Sequence, residues 1–69
     1  MNTDKLIDMA NRIGEFFQAM PDRDEALQGI ASHIRQSWER RMRQELARHI
    51  DERAGAGLSA IVLEALRSR

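Results

Sequence analysis

The chain's only proline lies in the segment MPDRDEAL, residues 20–27, and it divides the first half of the sequence in two. Pro21 disfavours helical backbone geometry at Met20, so a helix that precedes it has to stop there. Asp22 and Glu25 have the three-residue spacing of a capping box at the start of a following helix. Two helices joined by so short a turn fold back on each other, and we therefore expect an antiparallel helical hairpin.

Apolar residues recur on both sides of this turn at three- and four-residue spacing, which is typical of helices with one buried face. The first helix is predicted over residues 3–19 and the second over residues 23–38. Phe16 lies at the edge of the first apolar stripe and is expected to widen its buried face. Gly14 and Gly29 are equidistant from the turn, so we expect them to face each other where the two backbones approach closely.

Beyond residue 34 the apolar spacing becomes strictly four residues, through Trp38, Met42, Leu46 and Ile50. Each such step drifts by about 40° around a helix, so the stripe rotates by roughly 200° between Ile30 and Ile50. A straight helix cannot turn all of these side chains toward one core. Either the chain breaks near Trp38–Glu39 and a third helix covers residues 39–53, or one long helix buries its two halves against different surfaces. No glycine or proline marks a break, so both alternatives stay open.

Two glycines, Gly55 and Gly57, end the preceding helix and predict a linker over residues 54–58. A helix over residues 60–67 follows. It is apolar around most of its circumference and is too short to be stable alone. It therefore has to be packed against something, and because it is more apolar than the rest of the domain can cover, we expect it to provide a second contact with a partner. Together these segments predict an all-α fold, a small bundle of three to five helices that forms a single domain over residues 1–69.

The amino-acid composition argues against several classes of function. A chain of 69 residues has a small core, and the absence of cysteine removes disulfides and thiolate metal sites. The 11 basic and 11 acidic residues cancel, and acids are interleaved with the arginines of residues 35–53, which argues against a nucleic-acid binder. No apolar run is long enough to span a membrane, and the N-terminus has no apolar signal core, so we expect a cytoplasmic location.

The side chains that could carry chemistry are too few and too scattered for an enzyme or a metal site. Ser32 and His33 are adjacent, and neighbours on a helix point about 100° apart, which prevents them from forming a nucleophile–base pair. His33 and His49 are sixteen residues apart and fall on different faces of any continuous helix. We therefore expect no catalytic residue, no metal ligand and no cofactor-binding residue in this chain.

A protein-binding surface is the remaining class of site. Trp38, Arg41 and Met42 adjoin on one helical sector, and tryptophan, arginine and methionine are residue types that interfaces favour. We predict these three residues as anchors for a protein partner, with His33 and Arg40 in support. Burial of Trp38 and Met42 in the domain's own core is an equally good interpretation. A helical nucleic-acid-binding regulator, and a self-associating module that forms a weak homodimer when isolated, stay as alternative functions.

Three segments, LIDMANRIGEFF, GIASHIRQSWERRMR and GAGLSAIVLEAL, resemble the delta subunit of cytoplasmic NAD-dependent, molybdenum-containing formate dehydrogenases. The resemblance covers residues 3–66. The family's motif is Trp-x-Pro-Arg-Met, whereas this chain has Arg40 at the position of the proline. Because proline is favoured in the first turn of a helix, the family motif predicts that a new helix begins at this point.

The resemblance implies a non-catalytic small subunit that holds no cofactor itself. Its implied partner is the large catalytic subunit, which carries bis-molybdopterin guanine dinucleotide and iron–sulfur clusters and works beside subunits that bind FMN and NAD. The implied function is to bind and stabilise that catalytic subunit, or to assist assembly of the complex and insertion of its molybdenum cofactor. Neither a nucleic acid nor a membrane is implied as a partner.

Overall fold

Residues 2–67, which a computed structural model of the protein describes, fold into four α-helices and confirm the predicted all-α class. The helices are α1 (Thr3–Gln18), α2 (Arg23–Ser37), α3 (Arg40–Arg53) and α4 (Ala60–Arg67). None of them is long and apolar enough to cross a membrane. Helix α1 packs against the other three helices and α2 packs also against α4, whereas α3 makes only slight contact with α2 and α4.

Side-chain caps fix the start of both helices of the α1–α2 hairpin. Asn2 accepts a hydrogen bond from the backbone N–H of Asp4 at 2.9 Å. Asp22 accepts from the backbone N–H groups of Asp24 at 2.9 Å and of Glu25 at 3.3 Å. These amides belong to the first helical turn and have no partner within their helix, so a cap of this kind stabilises a helix by about 1 kcal/mol.

The chain leaves helical geometry between α2 and α3, so the alternative of one continuous helix is wrong. Trp38 has φ −93° and ψ 141°, and Glu39 has φ −66° and ψ 157°, which are both extended conformations. Trp38 is only 6% exposed and joins Ile34 and Leu46 in the core. The break offsets the drift of the four-residue spacing, because it lets apolar side chains of both helices turn toward one core.

A close approach of α4 to α1 explains Gly14. A Cβ atom on Gly14 would lie 2.6 Å from Cγ2 of Val62, which is closer than two carbon atoms can pack. Gly29 instead faces the ring of Phe17, so the prediction that the two glycines face each other is wrong. The space that Gly14 leaves is filled by α4, whose place in the bundle the sequence pattern did not fix.

The linker between α3 and α4 is held from two sides. The side-chain amide of Asn11 on α1 donates to the carbonyl of Gly57 at 2.9 Å, and its oxygen accepts from the N–H of Ser59 at 2.8 Å. On the other side, Nε2 of His49 lies 2.7 Å from the carbonyl oxygen of Ala56, to which it donates. These bonds place the start of α4 over the middle of α1, next to Gly14.

Candidate partner-binding surfaces

The five side chains predicted to bind a partner do not form one exposed cluster. Trp38 lies almost wholly in the core, and Met42 is half-buried against it. Arg40 and Arg41 are exposed on the first turn of α3. His33 is exposed on α2. Contact of these residues with a partner stays a prediction, and the structure leaves the two arginines and His33 as the side chains most open to it.

His33 lies over α1 rather than at the start of α3. Its ring centroid is 6.3 Å from that of Phe17, with the two rings tilted by 59°. Phe17 also covers Gly29, one helical turn before His33 on α2. His33 therefore belongs to the outer surface of the α1–α2 hairpin.

An apolar stripe on α1 faces water, contrary to the expectation that Phe16 is buried. Phe16 is 73% exposed and Met9, two turns earlier, is 42% exposed. Ile13, between them on the same side of the helix, is half-buried. We call Met9, Ile13 and Phe16 the α1 stripe. Such a stripe on a helix of a small domain is typical of a surface that another protein covers.

The adjacent phenylalanines explain why the prediction for Phe16 was wrong. Neighbouring side chains on a helix point about 100° apart, so both rings cannot face the same core. Phe17 takes the inner position against α2, and Phe16 meets only its edge, with ring centroids 5.1 Å apart and planes at 90°. The pair Phe16–Phe17 was thus a signal in the sequence that one large aromatic side chain would be left outside.

A groove separates α3 from α2 and α4 and has a volume of about 560 Å³. Its floor is apolar and is formed by side chains of all three helices: Ala31, Ile34, Leu46, Ala47, Ile50 and Leu66. Its border is charged and is formed by Arg35, Arg43, Asp51 and Arg67. We call this feature the arginine groove. The sequence placed Leu46 and Ile50 in the drifting apolar stripe, and Arg35 and Arg43 among the arginines of residues 35–53, but it gave no signal that these side chains border one groove.

The arginines of this groove are unpaired within the part of the chain that the structure describes. Arg35, Arg43 and Arg67 make no ion pair there, and Nε of Arg43 is buried without a hydrogen-bond partner. A buried donor without a partner costs about 1–3 kcal/mol. The groove therefore combines an apolar floor with a surplus of positive charge that residues 2–67 do not neutralise.

A polar contact ties α3 to the first turn of α1. The hydroxyl of Thr3 donates to Oε2 of Glu45 at 2.7 Å, and Arg48 donates to Oε1 of the same carboxylate at 2.5 Å. The hydrogen bond from Thr3 lowers the pKa of Glu45 below its ordinary value, and the charge of Arg48 acts in the same direction. This contact fixes a half-buried carboxylate as a structural link between two helices.

A metal site, or another site built on the two histidines, has little support among residues 2–67. Within that range no three histidine, aspartate or glutamate side chains gather where they could hold a metal ion. His49 is engaged with the linker, and His33 with Phe17. The features that the described residues do offer to another molecule are the α1 stripe, the arginine groove and the exposed first turn of α3.

Comparison with known proteins identifies the family. The sequence model of the family described as NADH-dependent formate dehydrogenase delta subunit, FdsD, matches residues 5–66. No curated protein and no solved structure matches the chain. The match covers nearly the whole chain and includes all four helices except the first two residues of α1 and the last residue of α4. The chain belongs to the FdsD family, and is thus an accessory rather than a catalytic subunit of a formate dehydrogenase.

Proposed function

We propose that this subunit binds the large catalytic subunit of a cytoplasmic NAD-dependent formate dehydrogenase and stabilises it during assembly. The same contact would hold that subunit in a state that accepts its molybdenum cofactor. Membership of the FdsD family supports a partner within a formate dehydrogenase complex. The observation that carries the binding function is the α1 stripe. It leaves Phe16 73% exposed to water, although the domain has few large apolar side chains with which to build its own core.

The cofactors of the reaction belong, in this proposal, to the partner subunits. The chain has no cysteine, so it has no thiolate with which to ligate an iron–sulfur cluster. We assign bis-molybdopterin guanine dinucleotide and the iron–sulfur clusters to the catalytic subunit, and FMN and NAD to the subunits beside it. The contribution of this chain is then burial of apolar surface and provision of arginines for carboxylates of the catalytic subunit.

Co-purification tests the proposal. The chain is expressed with a tagged catalytic subunit of the same enzyme, and its recovery is compared between the wild type and Phe16→Ser. Because Phe16 is exposed, the substitution leaves the fold intact, whereas loss of a central aromatic anchor lowers affinity by about tenfold or more. Gln18→Ser, on the opposite side of α1, is the matched control and is expected to bind like the wild type.

Arg40→Glu combined with Arg41→Glu tests the predicted surface at the start of α3 separately. Both side chains are exposed, so they report on contact rather than on folding. Substitution of Trp38 would not serve this purpose, because removal of a buried indole unfolds the domain.

Failure of the wild-type chain to co-purify with the catalytic subunit would contradict the proposed function. Undiminished recovery of Phe16→Ser would contradict the assignment of the α1 stripe.

A further inference from the structure

The arginine groove is long enough to bind a short helix. Along α3 it is lined by residues 43, 46, 47, 50 and 51, which are spaced by three and four positions and share one face. At about 1.5 Å per residue this face is about 12 Å long, or slightly more than two helical turns. Side chains of α2 and α4 form the opposite wall.

The groove concentrates positive charge from arginines of three helices. Elsewhere in residues 2–67, Arg12, Arg23 and Arg48 pair with Asp8, Glu64 and Glu45, whereas Arg40, Arg41 and Arg53 form no ion pair among the described residues. At the groove three arginines stand against one acid, Asp51, with no ion pair formed among the described residues. The buried Nε of Arg43 has no acceptor there either. A carboxylate from outside would complement the surplus charge of these guanidinium groups.

We propose that the arginine groove binds an amphipathic helix of the catalytic subunit, with apolar residues on one face and aspartate or glutamate beside them. Helices of this kind bind grooves through apolar side chains spaced by three, four and seven residues, which fits the apolar floor. Acids of the helix face Arg35, Arg43 and Arg67. This inference rests on the proposed function, since it takes the catalytic subunit as the source of the helix.

Substitutions in and beside the groove test the inference. Ala47→Trp fills the groove from an exposed position without disturbing the core, and Arg43→Glu reverses the charge that meets the carboxylate. Both are expected to weaken binding to the purified catalytic subunit by about tenfold or more. Arg53→Glu makes the same charge reversal on the same helix outside the groove, and is expected to change affinity by less than about threefold.

The measurement is a binding titration with the full chain at two salt concentrations. Wild-type affinity is expected to fall with added salt, and Arg43→Glu to bind with a weaker salt dependence. Circular dichroism of each variant establishes that it is folded, and Ala47→Trp keeps the test valid if Arg43→Glu is not. Normal binding of folded Ala47→Trp would overturn the groove as the site while leaving the proposed function intact. Absence of wild-type binding would overturn both.

Photo-crosslinking identifies the occupant. Benzoylphenylalanine placed at position 47 is irradiated in the complex with the catalytic subunit, and the crosslinked peptide is sequenced by mass spectrometry. A peptide of the catalytic subunit with helical apolar spacing and acidic residues supports the inference. Crosslinks to a second copy of this chain, to nucleic acid, or to a basic segment of the catalytic subunit would each overturn it.

Discussion

Helices α3 and α4 differ sharply in how far the domain buries them. α4 has eight residues and buries Ile61, Val62 and Ala65, whereas α3 has fourteen residues and buries only Leu46. From its composition, α4 is the helix that we expected to need burial against another molecule, because it is apolar around most of its circumference. In the structure that need is met inside the domain, and α3 is the helix that remains incompletely covered.

The cause of this difference is local. α4 fits closely on α1 because Gly14 leaves room for Val62, and Asn11 holds the linker that leads into it. α3 has neither advantage, since its N-cap residue Glu39 makes no side-chain hydrogen bond and a groove separates it from two of the other helices. The apolar surface that the domain leaves uncovered therefore lies along α3 and on the outside of α1 rather than on the apolar last helix.

Truncation of one core residue in α3 and of one in α4 gives the largest expected change in stability, and it tests directly whether the two helices differ. Ile61→Ala and Leu46→Ala each remove a buried side chain, at a cost of about 2–5 kcal/mol. A chain of this length has a free energy of unfolding of only roughly 3–10 kcal/mol. We expect Ile61→Ala to destabilise the whole domain, because α4 packs on both α1 and α2, and Leu46→Ala to release α3 alone.

Native-state amide hydrogen exchange separates these outcomes, because it reports protection helix by helix. Leu46→Ala should lower protection in α3 and keep it in α1, α2 and α4. Ile61→Val, which removes one methyl group, is the control for α4 and should cost about 0.5–1.5 kcal/mol. Equal loss of protection in all four helices of Leu46→Ala would show that α3 is as firmly integrated as α4, and the comparison would be wrong.

A proline at the start of α3 should give a smaller, opposite effect. Arg40 is the first residue of α3, where a backbone N–H has no partner within the helix, and Glu39 already has the extended geometry that a residue before proline adopts. Arg40→Pro is therefore expected to stabilise the domain by about 0.4–1 kcal/mol, through a less flexible unfolded chain.

Urea denaturation measures this change, with Arg40→Ala as the matched control. The control removes the same charge without restricting the backbone, so only Arg40→Pro should gain stability. A gain confined to Arg40→Pro would mean that the backbone at the start of α3 accepts proline without strain and that the gain comes from the restricted unfolded chain. Destabilisation by the proline would contradict the assignment of Arg40 to the first turn.

Much of the fold was predictable from local signals. The turn at Pro21 and the cap at Asp22 act between neighbours in sequence, and the structure contains both. The break after Trp38 was signalled only by the drift of apolar spacing, which allowed two outcomes. The contact of Gly14 with Val62 joins residues far apart in sequence, and a helical pattern carries no information on which helix a glycine faces.

The candidate surfaces were less predictable, for a physical reason. Composition identified tryptophan and arginine as interface residues, but Trp38 is buried because the break between α2 and α3 turns it inward. Phe16 was assigned to the core because apolar spacing alone does not say where a stripe ends. The arginine groove depends on the distance between three helices, which no segment of the sequence encodes alone.

The link between Thr3 and Glu45 gives the smallest expected effect and tests how α3 is attached to α1. Because the pKa of Glu45 is lowered, mainly by the hydrogen bond from Thr3, the bond stabilises the fold fully above the ordinary glutamate value of 4.5. That stabilisation is lost as pH falls from 4.5 through the lowered pKa, where the carboxylate becomes protonated. Thr3→Val keeps the shape of the side chain and removes the donor.

Thermal unfolding of wild type and Thr3→Val at neutral and acidic pH should therefore show a difference in Tm that is present at pH 7 and shrinks below pH 4.5. The same comparison in a Glu45→Gln background should show no such pH dependence, because no carboxylate then titrates at this position. A difference that stays constant with pH would mean that Thr3 stabilises α1 by itself. In that case α3 would be attached to α1 through Leu46 and its half-buried neighbours, without help from the polar contact.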